Sequence, residues 1–186
     1  MVKAIAVYLG SAGGNDPKFK ELAREFGRRM AREGIGIIYG GASVGTMGAL
    51  ADGALEEGGS ITGVFPKGFL GKREVKESGT KVFREGLDSV VFVKDFSERK
   101  MRLEELSDCA VVLPGGLGTM DEMFCYAVGN EIGLHDKEVY VLNADGYYDS
   151  LKSLLDSMKK SGFLGREYDI FHFVNTIDDL LETFRN

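Results

Sequence analysis

Seven short apolar segments recur along the chain, and longer amphipathic or polar stretches separate them. The segments cover residues 4–9, 36–39, 61–65, 89–93, 109–113, 139–142 and 170–174. A short segment that is apolar throughout is typical of a strand buried on both faces, and such strands occur in parallel sheets that helices cover on both sides. The pattern therefore predicts an α/β fold, a Rossmann-like doubly wound open parallel sheet of about seven strands.

The composition predicts one folded domain. The 186 residues are 44% hydrophobic and 28% charged, which is close to the average of globular proteins. No internal repeat or Pro-rich linker divides the chain, so we expect a single Rossmann-like domain over residues 1–186. Residues 66–88 form the one irregular stretch, which we interpret as an exposed loop with a short helix, in a place where long loops often cover ligands.

Charge and hydropathy exclude several classes of partner. The net charge of −6 argues against a nucleic-acid-binding protein, because such a protein needs a basic face. The apolar segments are too short to span a membrane, and the first residues lack the pattern of a signal peptide. Cys109 and Cys125 lie in apolar runs without a Cys-x-x-Cys spacing, so we expect buried structural thiols in a reducing compartment. These features predict a cytoplasmic protein.

Glycine-rich turns follow three of the predicted strands, and each leads into a predicted helix. The turns contain Gly10, Ser11, Ala12, Gly13 and Gly14; Gly40, Gly41, Gly45 and Gly48; and Pro114, Gly115, Gly116, Gly118 and Thr119. The N–H groups at a helix N-terminus bind anions when no Cβ atom blocks the approach. The turns therefore indicate a phosphorylated ligand; tight turns and close helix–strand packing are the structural alternative. The chain lacks the P-loop motif, and its first turn lacks the dinucleotide-binding fingerprint.

Glu122 follows the third glycine-rich turn by one helical turn. A carboxylate close to a bound sugar phosphate can stabilise an oxocarbenium-like transition state or position an attacking water, as in glycoside hydrolysis. The structural alternative is a capping box, because Thr119 and Glu122 have the required spacing. The two roles are compatible.

Arg99 is predicted to project from the apolar side of a helix that Asp95 or Ser97 caps. It shares one helical stripe with Phe96, Leu103 and Leu106. An inward-facing arginine needs a partner. One interpretation is a structural ion pair with a residue such as Asp108; the other is a guanidinium that binds phosphate or assists a leaving base.

Two signatures stand close together in the sequence, Glu98-Arg99-Lys100 and Pro114-Gly115-Gly116-Leu117-Gly118-Thr119 followed by Glu122. Together they resemble the paired signatures of the LOG ("lonely guy") phosphoribohydrolases, and residues 39–48, 73–75, 133–137 and 143–148 resemble further family segments in the same order. The resemblance implies hydrolysis of the N-glycosidic bond of a cytokinin- or adenosine-type nucleoside 5′-monophosphate. The implied products are a free base and ribose 5-phosphate, and no metal or organic cofactor is implied.

The resemblance also implies roles for individual residues, with Arg99 and Glu122 as the catalytic pair. The implied contacts to the phosphate and the rest of the substrate come from Gly10, Ser11, Gly41, Met47, Gly48, Glu74, Lys100, Gly115, Gly116, Leu117, Gly118, Thr119 and Asp121. The chain departs from the family where Phe96-Ser97 replaces the usual Met-His and Val128-Gly129 replaces the usual Thr-Trp. The stretch between Glu74 and Arg99 is also longer, so the base that leaves is not inferred.

Residues 119–131 form a predicted helix that is apolar nearly all round, so we expect it to pack against its copy in a homodimer, as the resemblance also implies. The alternative function on this fold is a non-catalytic carrier of a phosphorylated ligand such as the molybdenum cofactor. Similar proteins also bear the label lysine decarboxylase. That activity would need a lysine that binds pyridoxal phosphate, and no lysine here has a sequence context that marks it for this role.

Overall fold

The computed structural model describes residues 2–67, 84–164 and 169–185, and these ranges contain seven strands and six α-helices. The strands are β1 (Ala4–Tyr8), β2 (Gly36–Tyr39), β3 (Ile61–Pro66), β4 (Ser89–Val93), β5 (Cys109–Val112), β6 (Val139–Leu142) and β7 (Phe171–Val174). The helices are α1 (Lys18–Arg32), α2 (Gly45–Glu56), α3 (Phe96–Glu105), α4 (Leu117–Glu131), α5 (Asp149–Lys160) and α6 (Ile177–Arg185). Every predicted strand is present, and no strand end differs from its prediction by more than one residue.

All seven strands are parallel and lie in the order β4-β3-β2-β1-β5-β6-β7. The predicted Rossmann-like sheet is therefore confirmed. From β1 the chain winds outward to β4, and it then returns to β5 on the other side of β1. The chain after β1 therefore leads to a helix on one face of the sheet and the chain after β5 to a helix on the other face. In open α/β sheets such a switch point leaves a crevice at the carboxyl ends of the strands.

The core lies on both faces of the sheet, because successive side chains of a strand point to opposite faces. Along β1, Ile5 and Val7 join a cluster covered by α1, α2 and α6. Ala6 and Tyr8 join a second cluster, covered by α3, α4 and the start of α5. The helices that carry Arg99 and Glu122 therefore cover the same face. No helix in the three described ranges is long and apolar enough to cross a membrane.

Two predictions about burial are wrong in part. Cys109 is buried, and burial raises the pKa of its thiol to about 12, but Cys125 is exposed. Cys125 is exposed because α4 turns another side, with Met123 and Tyr126, toward the sheet. In α3, Leu103 and Arg99 are buried as expected, whereas Phe96 and Leu106 are exposed. These two residues lie at the two ends of the helix.

Helices α1 and α2 cross closely at Gly27 and Gly53. A Cβ atom at Gly53 would lie 1.9 Å from the Arg24 carbonyl oxygen, and one at Gly27 would lie 2.3 Å from the Leu50 carbonyl oxygen. Both obstacles are backbone atoms, so the helices themselves would have to separate.

We expect Gly53→Ala to lower the free energy of unfolding by about 1–3 kcal/mol, because overpacking forces backbone shifts. Helix propensity alone acts in the opposite direction, since Ala in a helix is more stable than Gly by roughly 0.5–1 kcal/mol. Urea denaturation followed by circular dichroism measures the difference. A Gly53→Ala protein as stable as wild type would contradict the close crossing.

Candidate active site

The loops after β1 and β5 touch each other at the crevice, and the start of α2 joins them. The Gly10 N–H donates to the Pro114 carbonyl at 3.3 Å, and the Thr46 hydroxyl donates to the Gly10 carbonyl at 2.6 Å. A Cβ atom at Gly115 would lie 2.1 Å from Thr119 Oγ1 and 2.9 Å from the Gly10 nitrogen. The glycines therefore allow a close approach of the two loops that larger residues would prevent.

Two helices begin at this crevice without a side-chain cap: α2 after Val44 and α4 after Gly116. The first N–H groups of a helix have no partner within the helix, and they carry a partial positive charge. In α2 one of them is already engaged, since the Thr46 N–H donates to the Ala12 carbonyl at 3.4 Å. The N-terminus of α4 is thus the better candidate for an anion such as phosphate.

Arg99 and Glu122 form a buried ion pair between α3 and α4. Arg99 Nη1 donates to Glu122 Oε1, and Arg99 Nε donates to the Val64 carbonyl at 3.0 Å. The two side chains are only 9% and 8% exposed. Burial raises the pKa of Glu122, and the positive charge of Arg99 opposes that shift. The structure thus holds a carboxylate and a guanidinium together, in a place where their charges are poorly screened by water.

The predicted cap of α3 fixes where Arg99 points. Asp95 Oδ1 accepts hydrogen bonds from the N–H groups of Ser97 and Glu98 at 3.0 and 2.9 Å. The helix then begins at Phe96, so that Arg99 leaves its first turn on the side of the sheet. Of the two capping candidates, Asp95 is therefore the cap.

Two structural alternatives are not found. The Asp108 carboxylate accepts hydrogen bonds from the backbone of Lys3 and Ala4 at 2.7 and 3.0 Å, so it orders the start of β1 and does not pair with Arg99. Glu122 does not cap α4, because the helix begins at Leu117 and Glu122 lies in its second turn. The catalytic roles of Arg99 and Glu122 stay predictions.

Gly40, in the loop after β2, makes room for the Arg99 guanidinium. A Cβ atom at Gly40 would lie 2.0 Å from Arg99 Nη2 and 3.2 Å from Met47 Sδ. The next residue, Gly41, has a φ of +75°, a conformation that side chains rarely adopt. The loop after β2 therefore brings Gly41 and Met47 to the same site as the ion pair.

A second ion pair lies beside the first, at the surface. Lys100 Nζ contacts both carboxylate oxygens of Asp121, at 3.0 and 3.1 Å. The hydrogen bond that Lys100 donates to the Asp121 carboxylate raises the pKa of Lys100. Lys100 directly follows Arg99 in the sequence, and Asp121 directly precedes Glu122. The two ion pairs therefore link α3 to α4 side by side.

The structure places most of the remaining sequence-predicted residues at the crevice. Those in the loops and helix starts around it are Gly10, Ser11, Gly41, Met47, Gly48, Gly115, Gly116, Leu117, Gly118 and Thr119. The Leu117 side chain is 90% exposed, so only its backbone N–H is suited to a phosphate contact. Glu74 lies outside the described residues.

Two tyrosines after β6 were missed by the sequence reasoning. The Tyr147 hydroxyl donates to the Gly115 carbonyl at 2.8 Å, and the Tyr148 hydroxyl donates to the Leu113 carbonyl at 2.7 Å. Both bonds fix the loop after β5 from the side of the next strand. The available signal was their position, because they follow a strand at the same sheet edge as the glycine-rich turns.

The fold and the site define a Rossmann-like α/β protein with a glycine-rich crevice and a buried Arg–Glu pair. Solved structures agree on the fold. The molybdenum cofactor carrier protein from Chlamydomonas reinhardtii aligns with a TM-score of 0.72 and 18% identity, covering 100% of this chain and 97% of that one. The molybdenum cofactor binding protein from Rippkaea orientalis aligns with a TM-score of 0.70 and 20% identity, covering 100% and 96%.

Sequence comparison identifies the family. Residues 47–184 match a family model described as "Possible lysine decarboxylase". A probable cytokinin riboside 5′-monophosphate phosphoribohydrolase of Oryza sativa subsp. japonica is 38% identical over 86% of this chain and 68% of its own length. The cytokinin riboside 5′-monophosphate phosphoribohydrolase of Rhodococcoides fascians is 36% identical over 87% and 78%. The chain belongs to the LOG family of phosphoribohydrolases, as its sequence motifs predict.

Within the described ranges, no group of three or more His, Cys, Asp or Glu side chains could hold a metal ion. Four charged side chains at the crevice form two ion pairs, Arg99 with Glu122 and Lys100 with Asp121.

Proposed function

We propose that this protein hydrolyses the N-glycosidic bond of a nucleoside 5′-monophosphate and releases the free base and ribose 5-phosphate. The observation that carries this proposal is the buried Arg99–Glu122 pair beside the uncapped N-terminus of α4. The relatives named as cytokinin riboside 5′-monophosphate phosphoribohydrolases support the same reaction. An N-glycosyl hydrolase therefore accounts for both the family and the site.

In the proposed reaction the two parts of the site contact different parts of the substrate. The 5′-phosphate binds the N–H groups at the start of α4, where the helix dipole favours negative charge. This contact places the ribose near Glu122. The carboxylate then stabilises the positive charge that develops at C1′ and orients the attacking water. Arg99 stabilises the negative charge that develops on the leaving base.

The reaction consumes one water molecule. The water oxygen bonds to C1′ as the bond between C1′ and the base nitrogen breaks, and the electron pair of that bond leaves with the base. One water proton passes to Glu122. Glu122 then releases this proton to the base nitrogen through solvent, which regenerates the carboxylate. Since the carboxylate must be ionised to accept a proton, its raised pKa should place the acid limit of activity above the usual range of carboxyl groups.

Incubation of the purified protein with AMP and with an N6-isoprenylated AMP tests the proposal, with free base followed by chromatography. We expect base release from at least one of the two nucleotides. The corresponding nucleosides, which lack the phosphate, serve as controls and should react far more slowly. If neither nucleotide reacts while the protein retains a bound phosphorylated ligand, the carrier function would replace the hydrolase.

We also propose that the protein is a homodimer that pairs through α4. Leu117 and Val128 in α4 and Ile132, the residue directly after it, are 90%, 47% and 64% exposed. Helical periodicity puts the three residues on one side. An apolar stripe of this kind on a helix is unfavourable in water unless another surface covers it. A second copy of the chain presents the same stripe, which makes the surface self-complementary. A cytoplasmic location and the absence of nucleic-acid and membrane partners stay predictions.

Sedimentation velocity at micromolar concentration tests the dimer. We expect the wild-type protein to sediment as a dimer and Ile132→Glu to sediment as a monomer, because the new carboxylate would be buried without a partner. Leu154→Glu is the matched control, since Leu154 is 49% exposed on α5, away from the stripe. A monomeric wild-type protein would contradict the proposal, as would an Ile132→Glu protein that still dimerises.

A further inference from the structure

Tyr8 ends strand β1 at the switch point of the sheet. It pairs in register with Val112 of β5, and the glycine-rich turn that begins at Gly10 follows it closely. Its side chain lies on the face of the sheet that α3 and α4 cover. The residue is only 2% exposed, and its ring packs edge-on against Tyr126 with 6.1 Å between ring centroids. A phenol group is therefore enclosed between β1 and α4.

This phenol lies next to the part of α4 that carries Glu122. Tyr126 follows Glu122 by four residues, so both side chains leave the helix on the same face. The Tyr8 ring, which contacts Tyr126, consequently faces that side of α4. The electrostatics agree: burial raises the pKa of Tyr8 well above its ordinary value, the Glu122 carboxylate raises it further, and Arg99 acts in the opposite direction. Tyr8 thus keeps its proton at neutral pH and can donate a hydrogen bond.

Glu122 needs a second donor if Arg99 is to act on the substrate. In this structure the Arg99 guanidinium donates to the Glu122 carboxylate and opposes the effect of burial on its pKa. When the guanidinium turns toward the leaving base, burial alone would favour the neutral acid, which cannot accept a proton from water. A buried O–H group that donates to the carboxylate would keep it ionised.

We propose that Tyr8 is a positioning residue for Glu122, whose hydroxyl donates a hydrogen bond to the Glu122 carboxylate when Arg99 is engaged with the substrate. This inference rests on the proposed function, because it assigns Glu122 the acceptance of a proton from water. Tyr126 offers a matched control. It has the same ring, packs in the same cluster and lies one helical turn further along α4.

The test compares Tyr8→Phe and Tyr126→Phe with the wild-type protein, measuring kcat and KM across the pH range for base release from whichever of AMP and N6-isoprenylated AMP the wild-type protein hydrolyses. Tyr8→Phe should lower kcat by about 10- to 100-fold, the range that corresponds to one hydrogen bond to a charged group, and leave KM nearly unchanged. It should also move the acid limit of kcat to higher pH, because loss of the donor raises the pKa of Glu122. Tyr126→Phe should keep the wild-type pH profile.

A second readout does not depend on turnover. Arg99→Met removes the guanidinium and keeps most of the side-chain volume. The effect of any other hydrogen-bond donor on the pKa of Glu122 can then be measured. The carboxyl carbon of Glu122 can be titrated by ¹³C NMR, with its signal assigned by its loss in Glu122→Gln. In the Arg99→Met background, Tyr8→Phe should raise the pKa of Glu122 and Tyr126→Phe should not.

The outcomes separate the two claims. A wild-type protein that releases base, with an unchanged kcat profile and an unchanged Glu122 titration in Tyr8→Phe, overturns the role of Tyr8 alone. The role of Tyr8 is also overturned if Tyr8→Phe and Tyr126→Phe lower kcat by the same factor and the melting temperature by the same amount, without a change in pH profile. That result would indicate a packing role. A wild-type protein without turnover overturns the proposed function, and the titration still decides whether Tyr8 contacts Glu122.

Discussion

Replacing Glu122 by Gln is expected to lower base release by about 10²- to 10⁴-fold, the range typical of removing a general acid or base. The side chain keeps its size, so the substrate should still reach the crevice. It loses the negative charge that accepts a proton and faces the developing charge at C1′. The affinity for the nucleotide should change far less than kcat, because the phosphate binds at the start of α4.

Glu131→Gln is the matched control for this variant, since Glu131 ends the same helix and is exposed. The same chemical change there should leave kcat and KM as in the wild type. Calorimetry with a nucleoside monophosphate measures binding separately from turnover. A Glu122→Gln protein with wild-type kcat would contradict the catalytic role of Glu122. A Glu122→Gln protein that fails to bind nucleotide would show that Glu122 is needed for binding.

Gly40→Ala is expected to lower kcat by about 10²-fold, although Gly40 does not carry a reactive group. Its new Cβ atom would lie 2.0 Å from Arg99 Nη2. The guanidinium is the end of a flexible side chain, so it can move aside without a shift of the backbone. That movement separates it from Glu122, and a misplacement of about 1 Å at a catalytic group can cost 10²-fold in rate.

A double variant makes this prediction sharper. If Gly40→Ala acts only by displacing the guanidinium, adding it to Arg99→Ala should cause no further loss of kcat, because the displaced group is already absent. Gly36→Ala serves as the control, because Gly36 begins the strand that precedes Gly40 and its Cβ atom would lie 3.5 Å from the nearest atom, the Lys3 carbonyl oxygen, an ordinary contact. Full activity of Gly40→Ala, or losses that add fully in the double variant, would contradict the account.

Much of the fold could be predicted because the strands are buried on both faces. Seven uniformly apolar segments in one chain leave few architectures other than a parallel sheet with helices on both sides. The exposure of Cys125, Phe96 and Leu106 was not predicted, because it depends on which side and which part of each helix faces the sheet.

The partner of Arg99 could not be chosen from the sequence. Asp108 and Glu122 were both available, and only the three-dimensional arrangement shows that Asp108 binds the backbone at the start of β1. Helix periodicity predicts the side of the helix on which a residue lies. It does not predict which residue of another element will face it. The contacts of Tyr8, Gly40 and Tyr147 were missed for the same reason.

One departure from the family pattern has a structural explanation. Gly129 stands where the family usually has a large aromatic residue, and a Cβ atom there would lie 2.7 Å from His135 Nε2. The His135 side chain is only 5% exposed and stacks at an angle on Tyr126, with 4.8 Å between ring centroids. The imidazole thus fills the space beside Gly129, and a large side chain at position 129 would require His135 to move.

Measuring both products in one reaction tests the proposed hydrolysis most directly. Purified wild-type protein is incubated with AMP or N6-isoprenylated AMP, and the free base and ribose 5-phosphate are quantified together by mass spectrometry. Hydrolysis of the N-glycosidic bond yields equal molar amounts of the two products, and we expect both to disappear together in Glu122→Gln. Formation of the nucleoside and inorganic phosphate, or recovery of both nucleotides unchanged, would contradict it.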